Sequence, residues 1–188
     1  MVRKIENVFE KSNLSPLGIR LLTFLARHQS DQFYTKELAN RVGASVSGCH
    51  TALAGLLEDN LVVRRKDGVN VYWRAETENP ALVSFKVFMN IQELGGILKG
   101  LKGLAIKVVL FGSCSRGDDT HASDIDLLVV TLDEDGTRDL LGRMRVNGRE
   151  LRPIVMSPHA MVELTEKDPA LSDEIDKGIV LMRGDVDE

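Results

Sequence analysis

Cysteine is scarce in this chain: Cys49 and Cys114 stand 65 positions apart and make no metal-type spacing. That excludes a disulfide framework and fits a reducing, intracellular setting. The N-terminus lacks the apolar core of a signal peptide, and no apolar run approaches membrane-spanning length, so a cytoplasmic protein without a membrane segment is expected. An excess of positive charge is also missing. The net charge of −4 and pI near 5.6 argue against wholesale non-specific nucleic-acid binding. The average hides a split, because residues 1–78 carry 11 Lys/Arg against 9 Asp/Glu while the remainder is acidic. What is present suffices for a core: 43% of the 188 residues are hydrophobic and 28% charged, the profile of one soluble domain or two small ones.

The first part reads as three helices and a hairpin. Ser15-Pro16 starts a helix, since serine caps and proline tolerates the first helical position; Ile19, Leu22, Leu25 and Ala26 then recur at helical spacing. Thr35 is expected to cap a second, short helix with Leu38, Ala39 and Val42 on its apolar face, ended by Gly43. Ser45 caps a third, bearing Cys49, Ala52, Leu53, Leu56 and Leu57, with Asn60 as a left-handed stop. Leu61–Arg65 and Val69–Ala75 alternate like strands, joined across Lys66-Asp67-Gly68, a strong hairpin signal.

Helix, helix–turn–helix, then hairpin is a winged helix-turn-helix order. The spacing from Leu38-Ala39 through Gly43-Ala44-Ser45 to Leu53, Leu56 and Leu61-Val62 resembles the winged-helix regulators of bacteria and archaea over roughly residues 15–76. The resemblance implies that the third helix enters the major groove and the wing touches the backbone or minor groove. The DNA-facing candidates are then Ser45, Ser47, His50 and Thr51 on the helix, and Arg64, Arg65 and Lys66 on the wing. No Lys or Arg occurs from Val42 to Val63, and these residues supply most phosphate affinity, so a dimerisation or partner-docking module is the other reading. Residues 79–102 follow as a connecting helix, with a stripe through Leu82, Phe85, Phe88, Met89, Gln92, Ile97 and Leu101 and a bend at Gly95-Gly96. Such a segment packs between domains or pairs two copies of a homodimer.

The stretch from Val108 to Val130 organises the second part. Val108–Phe111 is an apolar run of strand length that stops at Gly112, and Leu127–Val130 repeats the pattern directly after Asp124 and Asp126. Alternate strand residues share a face, so the two carboxylates project together while Ile125 turns away. Paired acids at the mouth of an apolar strand are costly unless something positive lies between them, and a divalent metal is the obvious candidate. Further strands are expected at 149–156 and 179–182 and helices near 136–145, after Ser157-Pro158 and after Asp168-Pro169. The whole is a two-domain protein: a mainly α winged helix-turn-helix domain over 1–78, the connector, and an α/β (α+β) domain with a small mixed sheet over 103–188.

Gly112-Ser113, ten intervening residues, then Asp124-x-Asp126, with Ser115-Arg116-Gly117 between, is similar to the motif of the DNA polymerase β-like nucleotidyltransferases, and the short domain looks most like the minimal ones. The resemblance implies a Mg²⁺-dependent transfer of NMP, with ATP the expected donor, onto a hydroxyl. Mg²⁺ takes oxygen ligands and is commonly held by one or two carboxylates plus phosphates. Asp124 and Asp126 fit that role, Gly112 and Ser113 fit the approach to the triphosphate, and Arg116 either pairs with phosphate or locks the loop onto a carboxylate. The family adds a third carboxylate from a neighbouring strand; the candidate is Glu150, whose other reading is an edge residue paired with Arg149 or Arg152. Asp118, Asp119 and His121 read as a solvated loop. The minimal relatives often accompany a HEPN-type RNase, which some neutralise as antitoxins, so such a toxin is a candidate acceptor. The alternative is a DNA-binding transcriptional regulator whose second domain only senses nucleotide.

Overall fold

The structure, a computed structural model, describes residues 14–184. Residues 1–13, read above as lacking a signal-type apolar run, lie outside the described residues. The described chain forms two compact units that divide between Val83 and Ser84.

The first unit comprises α1 (Pro16–Arg27), β1 (Phe33–Tyr34), α2 (Thr35–Val42), α3 (Val46–Glu58), β2 (Val62–Asp67) and β3 (Asn70–Ala75). The expected caps form at Ser15 and Ser45, whose hydroxyls accept from the N–H groups of Gly18 and Gly48, and Gly43 adopts the left-handed conformation after α2. Leu21, Leu22, Leu25, Leu38, Leu53, Leu56 and Trp73 are fully buried and make the core. Thr35 is not a cap: it opens α2, and its Oγ1 accepts from the Trp73 indole N–H at 2.9 Å. An indole buried in a small core needs that partner. The hairpin is also tighter than expected. Asp67 pairs with Asn70, so the turn is Gly68-Val69, with Gly68 supplying a φ of +59° at the first central position. The sheet order is β1-β3-β2.

α4 (Pro80–Glu93) starts in the first unit and continues into the second, and α5 (Gly95–Leu101) leaves it at a bend of 43°. The break falls at Leu94, directly before the diglycine, whose weak helix propensity makes it a poor continuation of α4. No single helix among the described residues is long and apolar enough to cross a membrane. The expected stripe along this segment is partly wrong. Phe88 is exposed, whereas Lys86 and Asn90 are buried in line with Leu82, Met89, Leu94 and Ile97.

The second unit continues with β4 (Ala105–Phe111), α6 (Gly112–Arg116), β5 (Ile125–Thr131), α7 (Glu134–Leu141), β6 (Arg145–Val146), β7 (Arg149–Met156), α8 (Pro158–Lys167), α9 (Pro169–Asp176) and β8 (Ile179–Arg183). Its sheet has the order β6-β7-β5-β4-β8, with β5 and β7 parallel and the other pairs antiparallel. Strand alternation divides the apolar residues between two faces. Val108, Leu110, Ile125, Leu127, Val129, Leu151 and Val155 pack on one face with Leu94, Ile97, Leu101 and Leu141. Val109, Phe111, Leu128 and Val130 pack on the other with Leu164 of α8 and Ile175 of α9. Pro153 produces no bulge, since β7 stays in continuous register with β5 from Leu151 to Met156. β6 covers only Arg149 and Glu150, so the proline lies where β7 is a sheet edge, the place a residue without an N–H is tolerated.

Candidate active site and nucleic-acid interface

Asp126 sits one residue into β5, paired in register with Phe111 of β4 on the α8–α9 face, and Asp124, just before the strand, reaches the same side, where Arg152 meets it. The chain reverses beside it at Gly112, whose φ of +68° favours glycine. The absent side chain matters equally: a Cβ there would lie 2.5 Å from Asp126 Oδ2. Burial pushes the Asp126 carboxyl above its ordinary value; Arg152 and Arg116 pull it down, while Glu174 and Asp124 add to the rise. A partly desolvated carboxylate with a second carboxylate on its face is an arrangement that a cation relieves.

The cation beside the two acids is a guanidinium. Arg152 pairs in register with Asp126, and its Nη2 lies 2.7 Å from Asp124 Oδ2. Glu150, the expected third carboxylate, is on the aspartates' face by alternation, but its Oε2 lies 3.9 Å from Arg145 Nη1 across the β6–β7 pair and its side chain is largely exposed. The structure therefore does not bring Glu150 together with Asp124 and Asp126. Among the described residues, no group of three or more His, Cys, Asp or Glu side chains is placed to hold a metal. Because β7 has no bulge, Leu151 and Ile154, at an odd and an even position of one strand, face opposite sides of the sheet. Two carboxylates on one face fit a single divalent ion that completes its shell with phosphate and water. They do not, in this arrangement, make a site with three protein carboxylates.

Arg116 stands between acids, with Nε 3.2 Å from Asp118 Oδ2 and Nη1 3.4 Å from Glu174 Oε1. This is the loop-locking alternative, and both pairs are exposed enough to contribute at most about 1 kcal/mol each. Ser113 is half-buried at the start of the short α6 and its carbonyl accepts from the N–H groups of Gly117 and Asp118.

Sequence reasoning missed a buried polar cluster behind the loop. Asp119, read as solvated, is 1% exposed. Its Oδ2 lies 3.2 Å from Arg149 Nη1, its Oδ1 accepts from Asn90 Nδ2 at 3.0 Å, and its carbonyl accepts from Lys86 Nζ at 2.5 Å. Arg149 further donates to Ser123 O at 2.9 Å, Asn90 Oδ1 at 3.1 Å and Cys114 Sγ at 2.6 Å. The signal was available in α4: Lys86 and Asn90 fall four and eight residues after Leu82, on the stripe that continues to Leu94. Cys114, buried as expected of a free thiol, donates to Asp124 O at 3.4 Å.

In the first unit, Ser45, Ser47, His50 and Thr51 are exposed on one side of α3, and Arg64, Arg65 and Lys66 are exposed on β2. Two of the helix hydroxyls are already engaged, Ser45 Oγ in the cap and Thr51 Oγ1 donating to Ser47 O at 3.3 Å. Register divides the wing cations: Arg65 lies opposite Tyr72, whereas Arg64 lies opposite Trp73. Arg74, unnoticed in the sequence, is exposed on the Arg65 side, where the hydroxyls of Tyr34 and Tyr72 also meet.

Residues 96–187 match the family model for polymerase beta nucleotidyltransferases, so this part of the chain carries a domain of that family. Among solved structures, the chain is similar to NolR from Sinorhizobium fredii at 24% identity, over 47% of this chain and 81% of that one, with a TM-score of 0.37. It is similar to reduced HlyU from Vibrio cholerae at 21% identity, over 45% and 84%, again at 0.37. A protein described as a nucleotidyltransferase, from Sulfolobus solfataricus, is 20% identical over 54% of this chain and 86% of its own, at 0.37. No curated protein matches the chain.

Proposed function

We propose that the second unit binds a nucleoside triphosphate, with ATP the first donor to test, together with one Mg²⁺ at Asp124 and Asp126, and moves its nucleotidyl group onto a hydroxyl. The observation that carries this reading is the pairing of Asp126 with the left-handed turn at Gly112, in a domain of the polymerase beta nucleotidyltransferase family. The missing side chain at Gly112 lets Asp126 lie against the turn, so the half-buried acid and the Gly112-Ser113 backbone are presented together to an approaching phosphate. When bound, Mg²⁺ would supply charge neutralisation at the phosphate oxygens. The chain's own contribution is to hold the two carboxylates on one strand face, to present the Gly112-Ser113 backbone, and to offer Arg152 as a group that can leave Asp124 for a phosphate oxygen. Arg116 holds the loop against Glu174 of α9.

The same proposal gives the first unit duplex DNA as its ligand, through the exposed face of α3 and the cations of the wing, with the wing providing most of the phosphate attraction. A sensor reading has one observation in its favour: Glu150 pairs with Arg145, and Arg152 rather than a third acid stands beside Asp126. That arrangement supports holding a nucleotide better than it supports activating a hydroxyl.

Incubating the protein with Mg²⁺, α-labelled ATP and candidate hydroxyl acceptors, beside Asp124→Ala/Asp126→Ala, separates the readings. Transfer by the wild type alone is expected. Equal labelling by both proteins refutes the site. Nucleotide binding without transfer by the wild type selects the sensor.

A further inference from the structure

The polar cluster behind the site is buried more deeply than the site itself. Arg149 and Asp119 are each almost fully enclosed, and so is Lys86. Strand alternation places Arg149 on the opposite face of β7 from Glu150 and Arg152, so this guanidinium does not reach a substrate lying on the aspartates' face. It reaches the backbone instead. One nitrogen is bonded to Ser123 O, directly before Asp124, while another is bonded to the Cys114 sulfur in α6, and the Cys114 thiol is bonded to Asp124 O. The two ends of the loop between Gly112 and Asp124 are therefore tied to one side chain. Asn90 ties the same side chain to α4, since it accepts from Arg149 and donates to both Cys114 O and Asp119.

We infer that Arg149 is a positioning residue for the two aspartates, and that α4 from Ser84 onward is a working part of the nucleotidyltransferase domain. The inference deepens the proposed function and rests on it for the identity of the ligand. Buried ion pairs are seldom the most stable way to fill a core, whereas a satisfied polar network fixes one geometry. Here the geometry fixed is that of the loop carrying Gly112 and Asp124. The match to the family model starts at residue 96, beyond both Lys86 and Asn90, so a fragment cut to that match loses two members of the network. A guanidinium suits the position because its planar fork donates in several directions at once, which an ammonium on a flexible stem does not reproduce.

The test uses the full chain with Arg149→Lys, the paired change Asp119→Asn/Arg149→Met, which removes opposite charges together, and Arg138→Gln as a control. Arg138 also donates to a β7 carbonyl, Val155 O at 2.8 Å, but makes no bond to the loop. Amide hydrogen exchange in metal-free protein is read over 118–124 and over the strand segment 127–130, and Mn²⁺ affinity is titrated separately. We expect exchange over 118–124 to accelerate at least tenfold in both Arg149 variants, with 127–130 unchanged, and Mn²⁺ affinity to fall at least tenfold. Arg138→Gln should lower the melting temperature without either effect. If an Arg149 variant does not fold, Asn90→Ala, which changes no charge, carries the same expectation. Loop exchange equal to the wild type, or acceleration spread evenly over loop and strand, overturns the positioning role. Failure of the wild type itself to bind Mn²⁺ overturns the proposed function instead, while the exchange result still decides what Arg149 does to the loop.

Discussion

Replacing Gly112 by alanine tests the site through a single methyl group. The left-handed backbone at this position costs an L-residue about 1–2 kcal/mol relative to glycine. The new Cβ would lie 2.5 Å from Asp126 Oδ2, where ordinary contact begins at 3.4 Å, so the carboxylate must retreat by about 0.9 Å. Productive site geometries tolerate about 0.5 Å, so the retreat takes the carboxylate out of the place proposed for it. Gly103 provides a matched control, because it has a φ of +81° in the same unit but nothing within 4 Å of its missing Cβ. Both variants should lose about 1–2 kcal/mol, which for a domain near 100 residues lowers the midpoint by about 4–8 °C per kcal/mol. Only Gly112→Ala should weaken Mn²⁺ binding, by at least about tenfold, equivalent to about 1.4 kcal/mol. Thermal melts and isothermal titration of the two proteins suffice. Equal Mn²⁺ affinity in Gly112→Ala and Gly103→Ala would refute the claim that glycine is there to make room for Asp126.

Three further outcomes follow from the same geometry. Because burial raises the Asp126 carboxyl above its ordinary 3.8, the folded state holds that proton more tightly than the unfolded one, so ionisation costs stability as pH rises through the folded value. Asp126→Asn should therefore make the metal-free protein more stable at pH 7, with the advantage vanishing as pH falls below 3.8, while Mn²⁺ binding is lost; urea midpoints across pH check the sign. Arg152→Gln removes an ion pair in which the arginine is largely exposed and Asp124 half-buried, so it should cost the metal-free protein about 1 kcal/mol and tighten Mn²⁺ several-fold; weaker Mn²⁺ binding would show that Arg152 does not compete for Asp124. Substituting Arg65 or Lys66 by alanine should lower the slope of log affinity against log salt for duplex DNA by about 1 each, read by fluorescence anisotropy at several salt concentrations.

The elements whose shape depends on local chemistry were legible in the sequence. Ser15 and Ser45 cap because a hydroxyl before a helical run satisfies an N–H that nothing else reaches, and Gly43 and Gly95-Gly96 act through backbone freedom that needs no knowledge of neighbours. The strands around Gly112 and the shared face of Asp124 and Asp126 follow from period-two alternation alone. Long-range pairing was hidden. Thr35 reads as a cap until Trp73, 38 residues later, arrives beside it. Glu150 shares the correct parity, but which cation or acid it meets depends on a two-residue strand, β6, too short to leave a pattern. Lys86 and Asn90 look like the polar side of a connector because their partners, Asp119 and Arg149, lie 33 and 59 residues ahead.

The proline in β7 has a consequence for how this molecule can meet others. β6 shields only the first two residues of that strand, which leaves the rest of its outer side without a neighbour among the described strands. An open, regular edge invites another chain to continue the sheet, and native proteins blunt such edges with proline and charge. Pro153 interrupts the row of donors on that strand, next to the charged Arg152. Intermolecular strand addition, the route to fibres and swapped assemblies, is thereby discouraged along the border closest to the paired aspartates.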